Sequence, residues 1–206
     1  MAWPTRDFSK GEVNKAGRIL VEPPSSEQLA WAHRVLANWR ACHGYPINTF
    51  QATLRDKLKR LGMGNALVAQ RLKRTPSIIA KLKRFESMDL ARMHDIGGLR
   101  AVLGNVENVR RLQEEYKKTT FKHKLVREDD YIAQPKEDGY RSVHLVFQYK
   151  NDRAPDYDGL RLELQIRTKL QHAWATAVET MSTFLGKAMK AGQGDRPWLH
   201  FFAITK

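Results

Sequence analysis

LRLELQIRT, residues 160–168, is the stretch that decides how this chain folds. Side chains alternate across a β-strand, so Leu160, Leu162, Leu164 and Ile166 share one face, and Arg161, Glu163, Gln165 and Arg167 the other. The first face demands a hydrophobic core. The second is a row of charge around a single carboxylate, which suits a polyphosphate and a metal ion better than plain solvent. An amphipathic sheet with a solvated outer face would show the same alternation, and the neighbouring segments weigh against that plainer reading.

Two segments supply that weight. Residues 94–103, HDIGGLRAVL, put an acid at the mouth of an apolar strand, with Gly97 and Gly98 permitting close backbone approach and Arg100 following. Residues 138–147, DGYRSVHLVF, open on an Asp-Gly turn signal and enter a strand with Val143, Leu145 and Phe147 on one face and Ser142 and His144 on the other. The three segments bring two acids, a histidine, an aromatic and several arginines to strand ends. They read as one active site assembled from three strands.

HDIGGLR, DGYRSVH and ELQIRT, in that order and at that spacing, resemble the synthetase domain of the RelA/SpoT family. Residues 71–84, RLKRTPSIIAKLKR, are similar to that family's Arg-x-Lys-x-x-x-Ser-x-x-x-Lys segment. The resemblance spans about residues 25–205. It extends to toxic small alarmone synthetases of the CapRel type through NKAGRIL, YPINTFQATLR, HAWATAVET and WLHFFA. It implies an α/β, nucleotidyltransferase-like fold: a mixed, mainly antiparallel sheet of about five strands flanked by helices.

The resemblance also implies a reaction, transfer of the β,γ-pyrophosphate of ATP to a ribose 3′-hydroxyl with AMP as leaving group. Asp95 would hold Mg²⁺ against the ATP phosphates, and Glu163 would complete the metal site or take the proton of the attacking hydroxyl. Lys73, Ser77 and Lys81, at i, i+4 and i+8, would bind phosphates from one helical side if the helix includes Lys73. Arg71 and Arg100 would sandwich the adenine, because a guanidinium plane stacks well on a base. Tyr140 matches the family's acceptor-base stacker, and Arg141, His144 and Gln165 fill the acceptor side. The structural alternatives are a turn or cap role for Asp95, half of a salt-bridge ladder for Glu163, strand-start packing for Tyr140 and a satisfied sheet histidine for His144.

The acceptor is open between classes. Housekeeping members use GDP or GTP, whereas the toxic members most resembled modify the 3′-terminal adenosine of the tRNA CCA end. The detailed resemblance favours tRNA; synthesis of (p)ppGpp or (p)ppApp from a free nucleotide is the alternative, and a catalytically silent RNA-binding module a third. In CapRel-type proteins an antitoxin domain follows, so the expected antitoxin is either a removed C-terminal domain or a partner acting in trans.

Charge supports a polyanionic partner. The 206-residue chain carries a formal net charge of +14, and residues 51–84 hold ten Lys and Arg side chains against one acid, Asp56. Arg55, Lys57, Lys59 and Arg60 are the candidates for a tRNA backbone, with a solvated helix face as the alternative. Such a length accommodates one α/β domain. No apolar run approaches the roughly 18 residues of a membrane span, and no signal segment opens the chain. The lone Cys42 fits a reducing cytoplasm and a small buried hydrophobe, and ligand spacing for zinc is lacking.

Residues 1–24 read as an N-terminal arm ending in Pro23-Pro24, ahead of a synthetase domain over 25–206. Helices are expected from Ser25 or Ser26 to about Arg40 and over about 47–61, 65–72, 76–85, 106–118 and 168–189, the last with a core stripe from Leu170 to Leu185. Strands are expected near 97–103, 122–128, 142–150 and 160–168. Residues 129–139 and 151–159 read as loops, and Gly192 to Pro197 as a break before WLHFFAITK.

Overall fold

A computed structural model describes residues 3–118, 121–185 and 196–204. Five strands form one sheet: β1 (Leu67–Leu72), β2 (Gly97–Leu103), β3 (Lys124–Asp130), β4 (Val143–Gln148) and β5 (Arg161–Thr168), in spatial order β1-β2-β5-β4-β3. Only β2 and β5 run parallel; the other pairs are antiparallel. The expected mixed, mainly antiparallel sheet is therefore present, with LRLELQIRT as its central strand.

Register sorts the side chains. Leu162, Leu164 and Ile166 of β5 share a face with Leu99 and Ala101 of β2 and with Val143, Leu145 and Phe147 of β4, all buried in one core. On the opposite face Gly98 lies beside Glu163, Arg100 beside Gln165 and Val102 beside Arg167, with His144 across from Gln165. Helices α1 (Lys10–Val21), α2 (Ser26–Cys42), α3 (Gly44–Arg60), α4 (Thr75–Arg84) and α5 (Val106–Lys117) all send residues into the core. Helix α6 (Lys169–Phe184) leaves the end of β5, and α7 (Arg196–Ile204) packs Phe202 against α6 in a small second cluster with Trp174 and Val178. Among the described residues no helix is long and apolar enough to cross a membrane.

Several local expectations are corrected. Residues 65–72 are not a helix: the segment becomes edge strand β1, because pairing with β2 satisfies its backbone. Much of the supposed N-terminal arm is α1, started by a capping box between Ser9 and Glu12, with Val13, Ala16, Ile19 and Leu20 buried. The α6 stripe is narrower than expected: Ala175 and Val178 are buried, while Leu170 and Phe184 face solvent. The proposed end of that helix at 186–189, and Gly192 to Asp195, lie outside the described residues. The 151–159 loop is anchored by Tyr157, whose ring stacks on Tyr45 at 4.6 Å between centroids. Cys42 is fully buried, and burial pushes its thiol up to about 11.

Gly97 explains one half of the Gly-Gly pair. A Cβ there would sit 2.7 Å from Leu162 Cδ2 and 3.1 Å from Ile47, so α3 can lie close to the sheet only over a bare backbone. Because β2 is hydrogen-bonded on both sides, the strand cannot shift to make room. Gly97→Ala is expected to cost about 1–3 kcal/mol of stability through overpacking, measured by urea denaturation.

Candidate active site

The polar face of the sheet carries two adjoining clefts. One, of about 150 Å³, is lined by Arg71 and Ala69 of β1, Gly98 and Arg100 of β2, and Glu163 and Gln165 of β5. The other, of about 140 Å³, shares Arg71, Arg100 and Gln165 and adds Lys136, Asp138, Tyr140, His144, Arg167 and Glu179. Gly98, the second glycine, sits opposite both Arg71 and Glu163, and its missing side chain keeps the cleft floor open. A larger groove of about 810 Å³ at the far end of β2 contains neither Asp95 nor Glu163 and lacks the arginine pair. The smaller clefts gather Glu163, Tyr140, His144, Gln165 and the arginine pair.

Glu163 is held from two sides. His144 Nδ1 lies 2.9 Å from Oε1, and Gln165 Nε2 donates to Oε2 at 2.8 Å. An ionised carboxylate only accepts, so the His144 proton facing it is on Nδ1. Tyr140 hydroxyl then meets His144 Nε2 at 2.8 Å. Burial alone would raise the Glu163 carboxyl, but the hydrogen bonds from His144 and Gln165 outweigh it and the net displacement is downward. The charge of Asp95 acts in the opposite sense on Glu163, so the two acids sense one another.

Asp95 occupies the turn ahead of β2, clamped between two lysines. Lys73 Nζ is 2.9 Å from Oδ2 and Lys81 Nζ is 2.8 Å from Oδ1. Lys73 precedes α4 rather than belonging to it, so the three-residue helical stripe expected for Lys73, Ser77 and Lys81 does not form. The lysines converge by a different device: the Lys73 amide donates to the Ile96 carbonyl at 2.8 Å, pinning the β1–α4 link against the Asp95 turn. Ser77 lies exposed on the first turn of α4, outside this cluster. Lys73 is only 14% accessible, covered by this clamp.

Arg71 and Arg100 are diagonal neighbours across the β1–β2 pair, Arg71 exposed and Arg100 half-buried. Burial lowers Arg100, opposed by the charge of Glu179 and reinforced by Arg71. Arg100 Nε and Arg167 Nε are buried with no hydrogen-bond partner among the described residues. Tyr140 is buried at the cleft wall, edge-on to Tyr131 and His144, with Lys136 Nζ 5.3 Å above its ring. Arg141 lines neither cleft. Lys136, Arg167 and Glu179 were not singled out as site residues from sequence; for Arg167 the alternation of β5 already placed it on the face of Glu163.

The basic stripe does not extend this site. Arg55, Lys57, Lys59 and Arg60 lie on α3, which packs through Ile47, Phe50, Leu54 and Leu58 on the core side of the sheet, across from Glu163. Lys57 is buried, 3.1 Å from Glu115 Oε1 and beneath the Tyr116 and Phe121 rings. Arg60 pairs with Asp56 at 2.8 Å. Helix periodicity put Lys57 on the Phe50–Leu54 stripe, where a paired structural cation replaces an RNA contact.

Residues 70–184 match the family described as a region found in RelA and SpoT proteins, more than half of the chain. The chain belongs to the RelA/SpoT family. Among RelA/SpoT relatives, the GTP pyrophosphokinase YjbM of Bacillus subtilis is 33% identical over 118 residues, covering 56% of this chain and 55% of that protein. A probable chloroplastic GTP diphosphokinase of Arabidopsis thaliana is 37% identical over 129 residues, 59% of this chain and 16% of that protein. The chain thus spans about half the length, or less, of these curated relatives. The small alarmone synthetase 1 of Bacillus subtilis bound to its product pppGpp has the same fold, with a TM-score of 0.68 at 24% identity over 84% of this chain and 88% of that one. A GTP pyrophosphokinase family protein from Streptococcus pneumoniae aligns with a TM-score of 0.63 at 26% identity, over 78% and 80% of the two chains.

The Asp95 clamp has a measurable signature. Burial raises the Asp95 carboxyl, but Lys73 and Lys81 outweigh it and bring it down from 3.8 to about 2. A depressed carboxylate stabilises the fold above its unfolded value and loses that contribution as pH falls through the folded value. Asp95→Asn is expected to cost about 2 kcal/mol at neutral pH. That gap from the wild type should close as pH falls from about 4 to about 2, as followed by denaturant titration across pH.

Proposed function

We propose that the chain transfers the β,γ-pyrophosphate of ATP to the ribose 3′-hydroxyl of GDP or GTP, making (p)ppGpp. The observation that carries this reading is the lysine-clamped Asp95 acting electrostatically on Glu163, which lies in the Arg71–Arg100 cleft. The family supports the reaction class, and relatives named GTP pyrophosphokinases support the guanine nucleotide.

Each residue then has a task. Diagonal neighbours in an antiparallel pair stand about 7–8 Å apart, room for one flat base between the Arg71 and Arg100 guanidinium planes. Lys73 and Lys81 exchange Asp95 for the ATP phosphates, so the lysines bind the donor as the carboxylate is released; Ser77, outside the clamp, is one helical turn ahead of Lys81 and offers an exposed hydroxyl. Tyr140, His144 and Gln165 form the acceptor side; Arg141, which lines neither cleft, drops out of it. The 3′-oxygen attacks the β-phosphorus, the bond from that phosphorus to the oxygen bridging the α-phosphate breaks, AMP leaves, and Glu163 takes the hydroxyl proton. A carboxylate has about four lone-pair sites, and His144 and Gln165 occupy two, leaving Glu163 with capacity for this role. The positive side chains disperse the charge that gathers on the phosphoryl oxygens.

Two hard oxygen donors fit Mg²⁺, which is commonly held by one or two carboxylates together with substrate phosphates. Among the described residues no cluster of three His, Cys, Asp or Glu forms a ready metal site, so Asp95 and Glu163 would share the ion with ATP. Bound there, Mg²⁺ would neutralise charge on the transferred group.

The tRNA acceptor, with its toxin and antitoxin setting, drew on CapRel-type resemblance and on the basic stripe. Lys57 is buried and the stripe lies across the sheet from Glu163, which weakens the second support, while Arg55, Lys59 and Arg60 stay exposed. Incubation with γ-labelled ATP and, separately, GDP, GTP, AMP or intact tRNA decides the acceptor, because pyrophosphate transfer carries the γ-phosphorus along. Label is expected on GDP or GTP; label on tRNA, lost on removal of the terminal adenosine, overturns the guanine-nucleotide reading. For the donor side, Arg100→Ala is expected to weaken ATP binding at least tenfold, about 1.4 kcal/mol or more, and Lys73→Ala similarly. Unchanged calorimetric affinity in both variants would refute the donor assignment.

A further inference from the structure

The hydrogen bonds around Glu163 continue beyond its immediate partners. Arg167 Nη2 donates to Gln165 Oε1 at 2.8 Å, and Gln165 Nε2 donates to Glu163 Oε2 at 2.8 Å. The three side chains sit at i, i+2 and i+4 of one strand and so on one face. Arg167 is only 3% exposed, a costly place for a guanidinium unless its position serves something.

We propose that Arg167 is a positioning residue for the transfer reaction, acting on Glu163 through Gln165. An amide group is nearly symmetrical in shape, so its partners alone decide which end faces the carboxylate. Arginine only donates. It therefore claims the amide oxygen and turns the NH₂ toward Glu163. With Arg167 gone, Glu163 still selects the NH₂ end, but the amide oxygen loses its donor and the amide is no longer held from its far side. The carboxylate is then free to drift together with the unanchored amide, its one fixed partner being His144 on the other oxygen. This role rests on the reading of Glu163 as the group that takes the proton.

The test is a double-mutant cycle on pyrophosphate transfer from ATP to GTP, with Arg167→Met, Arg167→Lys, Gln165→Leu and Arg167→Met/Gln165→Leu. A displacement of the carboxylate is expected to lower kcat roughly tenfold to a hundredfold in Arg167→Met, with KM for ATP essentially unchanged. Arg167→Lys, which keeps a donor, recovers part of the loss. The double variant is no slower than Gln165→Leu alone, since partners in one network are not additive. A ligand-free readout accompanies it: the Gln165 side-chain NH₂ signals in ¹H–¹⁵N spectra, assigned by their loss in Gln165→Leu, should move toward those of a freely rotating amide in Arg167→Met.

Independent, multiplying losses, or unmoved NH₂ signals in a folded Arg167→Met, overturn the positioning role. If Arg167→Met does not fold, Arg167→Lys with and without Gln165→Leu carries the same cycle, and additivity there overturns it equally. Glu163→Gln run alongside separates the two claims. Lost transfer in Glu163→Gln with no Arg167–Gln165 coupling removes the positioning role alone, whereas full transfer in Glu163→Gln removes the proton-accepting role of Glu163 and the positioning role with it.

Discussion

Strand β5 cannot slip by one residue. Its alternation places Leu162, Leu164 and Ile166 in the core and Glu163, Gln165 and Arg167 on the polar face, and a single-residue shift against β2 or β4 would exchange the two sets. Burying three polar side chains while exposing three aliphatic ones is ruinous, so the hydrophobic core fixes the register of the strand that bears the carboxylate. The geometry of the candidate site is in this sense a by-product of core packing. The parallel partner β2 and the antiparallel partner β4 then deliver Arg100 and His144 to the same face at adjacent positions.

The Gly97-Gly98 pair shows the same division of labour within two residues. Gly97 turns toward the core, where Leu162 and Ile47 leave no room for a methyl group; Gly98 turns toward the cleft, where a side chain would stand between Arg71 and Glu163. One glycine lets α3 sit close beneath the sheet, and the other leaves space above it. The fold requires the first glycine, whereas at the second a methyl group would meet only ordinary contacts, 3.6 Å from the Glu163 carbonyl oxygen and 4.0 Å from Arg71 Cγ.

What was legible in the sequence followed from periodicity. Strands β2, β4 and β5 are buried on one or both faces, and period-two patterning with flanking turn signals marked them. Strand β1 was not legible: LVAQRL at a sheet edge has neither a buried face nor a β-branched run, and its Leu, Ala, Gln and Arg favour helix until β2 supplies hydrogen-bond partners. Helix α1 is legible, since Ser9 and Glu12 spell a capping box ahead of a helical apolar stripe. The contacts of Asp95 were beyond sequence reasoning. Lys73 reaches it from a loop and Lys81 from a helix, and only the three-dimensional link between Lys73 and Ile96 brings them together. The relay from Arg167 to Glu163 lay between these extremes, its face given by alternation and its hydrogen bonds only by coordinates.

The parallel pairing of β2 with β5 carries a consequence for how the protein comes into being. Strand β5 inserts between β2 and β4, both of which precede it in the chain, so the sheet has a gap at its centre until the last strand arrives. Pairing across so long a loop is entropically slow compared with local hairpins such as β3–β4. During synthesis the arginines of β1 and β2 and the histidine of β4 emerge first, on separate half-sheets. A growing chain therefore passes through its period of incomplete folding without an assembled candidate site, which comes together once the central strand has closed the sheet.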